Sequence, residues 1–165
     1  VGIIPPADHA AAVTKLLQTY SFMDPDRIGI WGWSGGGSST AHLMFKYPSI
    51  YSTGIAVAGV YSQYLYDTIY QERYMGLPST NPQGFHDGSP INFAGGLKGN
   101  LLLIHGTGDD NVHYQSCEML VNELIRQNKM FDMLSYPMRS HSINERENTT
   151  YHLYQYMFRY WEEHL

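Results

Sequence analysis

Residues Gly32-Trp33-Ser34-Gly35-Gly36 fit the pattern G-x-S-x-G, and the value of that pattern depends on its flanks. A serine hydroxyl is a poor nucleophile on its own. It becomes a useful one where a strand turns sharply into a helix and presents Oγ at the sheet edge, beside the free N–H groups of the helix start. So tight a turn leaves no room for large residues two positions either side of the serine, which is what the glycines supply. The chemistry would be attack on an acyl carbon. It needs a histidine to take the hydroxyl proton and a carboxylate to orient that histidine.

Both partners can be found downstream. The apolar run Leu101–Ile104 is followed by HGTGDDNVH, which offers Asp109 and Asp110. The run Phe131–Tyr136 is followed by PMRSHS, which offers His141. Serine, then acid, then histidine, each in a loop after a strand, is the order used by α/β-hydrolases. These loops fall at strand carboxyl ends, where parallel sheets collect their functional groups. The residues themselves leave Asp109 and Asp110 as equal candidates.

The remaining reactive side chains read as ordinary ones. His42, His152 and His164 lie on helical stretches as surface or packing residues. His105, at a strand end, reads as a buried, hydrogen-bonded packing histidine. A metal site from His105, Asp109, Asp110 and His113 has no recognised ligand spacing and leaves the serine turn unexplained. Cys117 sits on an apolar helix stripe as a small hydrophobe. The glycines spell neither G-x-G-x-x-G nor a P-loop, since no lysine follows them.

Alternating elements must position these groups. Val13, Leu16, Leu17 and Tyr20 recur at helical spacing and predict an amphipathic helix, ended by Asp24-Pro25. Arg27–Trp31 predicts a short strand. After the glycine-rich turn, Thr40, Leu43, Met44 and Tyr47 mark one face of a helix stopped by Pro48. Gly54–Gly59 predicts a second strand, and the aromatic stretch Gln63–Met75 short helix. Leu77–Gly99, rich in Gly and Pro, predicts an ordered loop. Leu101–Ile104 is a third strand, and Cys117, Leu120, Val121, Leu124 and Ile125 form a helical stripe. Phe131–Tyr136 is a fourth strand, and Tyr154, Met157, Phe158, Trp161 and Leu165 mark a C-terminal helix. Continuous apolar strands alternating with helices predict an α/β fold: a parallel sheet of about four strands between helices, in three αβα layers.

Length and composition agree with this reading. The 165 residues are about one domain's worth and show no repeat or linker. Ten basic against fifteen acidic side chains, with no basic cluster, exclude a nucleic-acid footprint. A single cysteine excludes a disulfide framework and a cysteine-rich metal site. The longest uncharged apolar run, Gly54–Val60, is far too short to cross a membrane. Val1 begins the chain without the basic and apolar regions of a signal peptide, so it reads as an internal piece of a longer protein whose compartment no residue reports.

The strings GIWGWSGGG, YDTIYQERYMGLP and LLLIHGTGDDNVHYQ together resemble the catalytic domain of the prolyl oligopeptidase family of serine peptidases. The likeness runs from about Asp8 to the C-terminus and leans to the dipeptidyl peptidase IV branch. The spacing fits, with the acid 75 residues after the serine and the histidine 32 after the acid. The resemblance implies Ser34 as nucleophile, His141 as general base and then acid, and Asp109 as the orienting carboxylate in place of Asp110. It implies the Gly35 N–H as an oxyanion donor. It implies a proline-accepting pocket of Val60, Tyr66, Tyr70 and Val112, with Asn111 on the substrate carbonyl; without it, Tyr66 and Tyr70 would read as core aromatics. The implied activity is removal of Xaa-Pro or Xaa-Ala dipeptides from peptide N-termini through an acyl-enzyme, with a peptide substrate and no cofactor or metal. Bacterial members of the family are commonly extracytoplasmic.

This sequence departs from the branch pattern at three points. The turn is WSGGG where WSYGG is typical, so Gly35 keeps the backbone N–H but removes an aromatic pocket wall. Ser142 replaces the glycine after the histidine. The second oxyanion donor, the β-propeller and the acidic pair that holds a substrate amine would lie outside residues 1–165, the C-terminal portion of an α/β-hydrolase domain. The Arg27–Trp31 strand would then be a bare edge, an association hazard. The expectation is an oligomer, or dependence on upstream strands, and at best weak catalysis by this piece alone. Two other readings compete: an aminopeptidase, acylpeptidase or esterase of the same fold, and a noncatalytic hydrolase-like module.

Overall fold

The computed structural model describes all residues, Val1–Leu165. Helix α1 (Ile4–Thr19) precedes strand β1 (Gly29–Trp33), helix α2 (Gly35–Lys46) and strand β2 (Thr53–Val57). Short helices α3 (Thr68–Met75) and α4 (Pro82–Asp87) lead to β3 (Asn100–Gly106), α5 (Tyr114–Arg126), β4 (Asp132–Tyr136) and α6 (Thr149–His164). All strand pairs are parallel, and spatial order follows chain order, β1-β2-β3-β4. The α/β architecture expected from the alternation is the one observed.

The period-2 alternation of side chains builds two cores from one sheet. On β3, Leu101 and Leu103 join Leu43 and Phe45 of α2 and Leu120 and Leu124 of α5. Leu102 and Ile104 point the other way, to Leu153, Met157 and Tyr160 of α6. Crossovers through α2 and α5 on one face are what right-handed β-α-β connections require. The register pairs Trp33 with Val57 and Val57 with Ile104. The carboxyl ends of β1, β3 and β4 therefore open on the same edge, immediately before Ser34, Asp109 and His141.

Several expectations are corrected. The first strand runs from Gly29 to Trp33, two residues later than Arg27–Trp31. The stretch Leu77–Gly99 is more than a loop. Asn81 caps α4 by accepting from the Gly84 N–H at 3.1 Å, Pro82 opens it, and Pro90–Gly96 forms a 3-10 helix against α2. On α6 the buried line is Leu153, Met157 and Tyr160, while Tyr154 and Phe158 are exposed. That helix is aromatic on every side, so period alone did not choose its face. On α1 only Pro6 and Ala10 are buried, because the helix lies against α2 beyond the sheet. Helix α2 is buried nearly all round, His42 included. Burial pushes the His42 imidazole down to about 4, and its Nε2 lies 3.0 Å from Gly88 O.

Strand β1 has one neighbour, and Trp31 on it is half exposed. No helix is long and apolar enough to cross a membrane.

Close packing of α2 on the sheet separates two adjacent glycines. A Cβ on Gly37 would lie 2.6 Å from Val57 O, whereas one on Gly36 would meet nothing within 4 Å. Urea unfolding of Gly37→Ala is expected to show a loss of about 1–3 kcal/mol through backbone overpacking. Gly36→Ala is expected to gain about 0.4–1 kcal/mol by restricting the unfolded chain. Equal effects at the two positions would contradict this packing.

Candidate active site

Ser34 occupies the step between β1 and α2 with φ 59° and ψ −118°, a strained conformation for a residue with a side chain. The surroundings hold it there. Its N–H donates to Val57 O at 2.9 Å, and its carbonyl accepts from the Ser38 N–H at 3.0 Å and Ser38 Oγ at 3.3 Å. Ser38 Oγ in turn accepts from the Val60 N–H at 2.8 Å, joining the turn to the loop after β2. The crowding expected on both sides of the serine exists on one. A Cβ on Gly32 would come within 2.3 Å of Gly36 O, but Gly36 itself is open. Gly35 begins α2, so its N–H has no intrahelical acceptor.

Asp109 lies in the loop after β3 with its side chain fully buried. Its Oδ1 accepts from the N–H groups of Asn111 at 3.0 Å and Val112 at 2.8 Å. Its Oδ2 accepts from His141 Nδ1 at 2.8 Å and lies 3.2 Å from His105 Nε2. Burial would raise its pKa, but the hydrogen bonds from His105, His141, Val112 and Asn111 outweigh that and hold it at about 2. The carboxylate is therefore ionised at neutral pH and can only accept. That assigns the proton of His141 to Nδ1 and leaves a lone pair on Nε2, which holds no hydrogen bond. Asp110 is exposed and bonds to neither histidine.

The loops that carry these groups are tied to each other. Gly108 N–H donates to Arg139 O at 3.1 Å, and Met138 N–H donates to Thr107 Oγ1 at 2.8 Å. Any side chain on Gly106 would start 2.2 Å from Arg139 O. The Trp33 indole N–H donates to His141 O at 2.9 Å, so the residue before the serine grips the histidine loop.

A cleft of about 370 Å³ opens beside Ser34. Of the expected pocket residues, Val60, Tyr66 and Tyr70 line it, together with Gly35, Ser38, Ser39, Gln63, Val1, Gly2 and Pro5. Tyr66 and Tyr70 meet edge-on with centroids 5.4 Å apart. Asn111 and Val112 are not in its lining; their N–H groups turn to Asp109.

Two contributors were not read from the sequence as parts of this site. The sequence reads His105 as a buried, hydrogen-bonded packing residue; it is fully buried, and its Nε2 donates to Val112 O at 2.8 Å while lying 3.2 Å from Asp109 Oδ2. A histidine four residues before a candidate acid was the available signal. For Trp33, the x of G-x-S-x-G, there was none.

The prolyl oligopeptidase family matches residues 2–165. A venom dipeptidyl peptidase 4 of Apis mellifera is 38% identical over 98% of this chain and 21% of its own length. Dipeptidyl peptidase 8 of Homo sapiens is 36% identical over 100% of this chain and 19% of its own length. The crystal structure of Porphyromonas gingivalis dipeptidyl peptidase 4 superposes with a TM-score of 0.96 at 38% identity, covering 100% of this chain and 23% of that one. The chain thus spans about a fifth of the length of the relatives it matches.

The depressed pKa of Asp109 makes stability depend on pH in a defined window. The folded state favours the ionised carboxyl, so the stabilisation is complete above the ordinary value of 3.8 and fades as pH falls through about 2. The difference in unfolding free energy between the unmodified protein and Asp109→Asn is expected to shrink as pH falls from about 4 to about 2. A difference that is constant down to pH 2 would mean that Asp109 is not held ionised in this way.

Proposed function

The chain belongs to the prolyl oligopeptidase family, and from that premise we propose that it is the catalytic core of a serine dipeptidyl peptidase, with Ser34, His141 and Asp109 as its triad. The observation that carries this reading is the hydrogen bond from His141 to the buried Asp109 carboxylate, in a loop that the Trp33 indole ties to the strained turn of Ser34. Ser34 Oγ attacks the scissile carbonyl carbon while His141 Nε2 takes its proton. Asp109 keeps His141 in the required tautomer and stabilises the imidazolium. The Gly35 N–H, at the start of α2, donates to the developing oxyanion. As the C–N bond breaks, His141 returns the proton to the leaving amine. Water, deprotonated by the same nitrogen, then releases the acyl group and restores Ser34.

The substrate is a peptide whose N-terminal dipeptide ends in proline or alanine, with Val60, Tyr66 and Tyr70 walling the pocket. Their aromatic and aliphatic faces suit a small ring. Asn111 and Val112 act through Asp109 in this reading. The free edge of β1 and the half-exposed Trp31 support pairing with further strands of a larger sheet or with another copy.

A fluorophosphonate probe read by intact mass tests the triad. One label is expected, lost in Ser34→Ala and reduced by about 10³-fold or more in rate in His141→Ala. Labelling that survives Ser34→Ala would overturn the assignment. In sedimentation velocity, the 165-residue chain is expected to form oligomers. A monodisperse monomer at high concentration would count against a sticky β1 edge.

A further inference from the structure

Four glycines stand in or beside the Ser34 turn, and packing demands only two of them, Gly32 and Gly37. A Cβ on Gly35 would meet nothing within 4 Å, and its φ is not positive. Glycine is a poor residue at a helical position, and at Gly35 neither backbone geometry nor crowding requires it. What its missing side chain leaves is open space beside Ser34, in the cleft that Tyr66 and Tyr70 also line.

Of the polar side chains that line the cleft, Ser38, Ser39 and Gln63 are already engaged. Ser39 Oγ donates to Gly35 O at 3.0 Å, and Ser38 Oγ joins Ser34 O to the Val60 N–H. Gln63 is 2% exposed; its Nε2 donates to Gly88 O at 2.8 Å and its Oε1 accepts from Gln71 Nε2. No charged side chain lines the cleft. Val60, the two tyrosine rings, Val1 and Pro5 supply apolar surface to a ligand, and three ring methylenes of a proline do not fill about 370 Å³.

We propose that the cleft accepts, on the acyl side of the scissile bond, an uncharged apolar side chain larger than proline's, such as leucine or phenylalanine, and that Gly35 sets this breadth. The proposal rests on the serine peptidase reading and goes beyond its proline or alanine specificity. A side chain at position 35 would stand in the space the larger residue uses, without altering the N–H of that position.

The test uses the longest natural polypeptide that carries this chain. It compares kcat/KM for two dipeptide arylamides that differ only in proline or leucine before the scissile bond. The leucine substrate is expected within about a hundredfold of the proline one, and Gly35→Tyr is expected to lower the leucine-to-proline ratio at least about tenfold. Should Gly35→Tyr not fold, Gly35→Ala must lower the ratio at least about threefold. A leucine substrate more than about a hundredfold poorer than proline, or a ratio that position 35 does not move, overturns the proposal while Ser34 still labels with fluorophosphonate. Absence of both labelling and turnover overturns the serine peptidase reading itself, and this proposal with it.

Discussion

The buried Asp109 carboxylate accepts three hydrogen bonds inside the protein and a close contact from His105, and the arrangement of the site follows from satisfying it. Removing a carboxylate from water is costly unless its lone pairs are met. Here the Asn111 and Val112 N–H groups fold the loop after β3 back on itself to meet one oxygen, and His141 meets the other. His105, rising from within β3, adds a contact from below. Such charge-assisted bonds are each worth about 1.5–3 kcal/mol, enough to fix the loop's path. The histidine is thereby oriented by the same interaction that keeps the acid ionised.

The sheet makes this possible by delivering three loops to one edge. Parallel pairing in chain order puts the ends of β1, β3 and β4 in register, and the loops are then sewn together across strands that are not neighbours in sequence. The bond from Trp33 to the His141 carbonyl spans 108 residues of chain. It ties the serine turn to the histidine loop without using either reactive side chain.

Much of this was legible in the sequence because the signals were local or ordered. The glycine-flanked serine, the apolar runs and the acid and histidine after the third and fourth of them required no knowledge of packing. What was not legible depends on contacts between distant residues. The face that α6 buries is chosen by Leu153 and Tyr160 against the sheet, and a helix with aromatic residues on every side conceals that choice. The grip of Trp33 exists only once loops meet, whereas the Asn111, Val112 and His105 contacts to Asp109 lie within four residues of it and turn on the local path of the backbone. Gly32 and Gly36 look identical as text, yet only the first is crowded.

The hydroxyl of Ser38 links two functions that evolution would otherwise adjust separately. It bonds to the carbonyl of the strained serine and to the N–H of Val60 on the cleft wall. A change at position 38 therefore alters reactivity and recognition together, and a lineage exploring new substrates meets a penalty in rate there. Position 35 has no such linkage, because its side-chain direction touches nothing. Diversification of this site thus has an open route and a closed one, three positions apart on the first turn of the same helix.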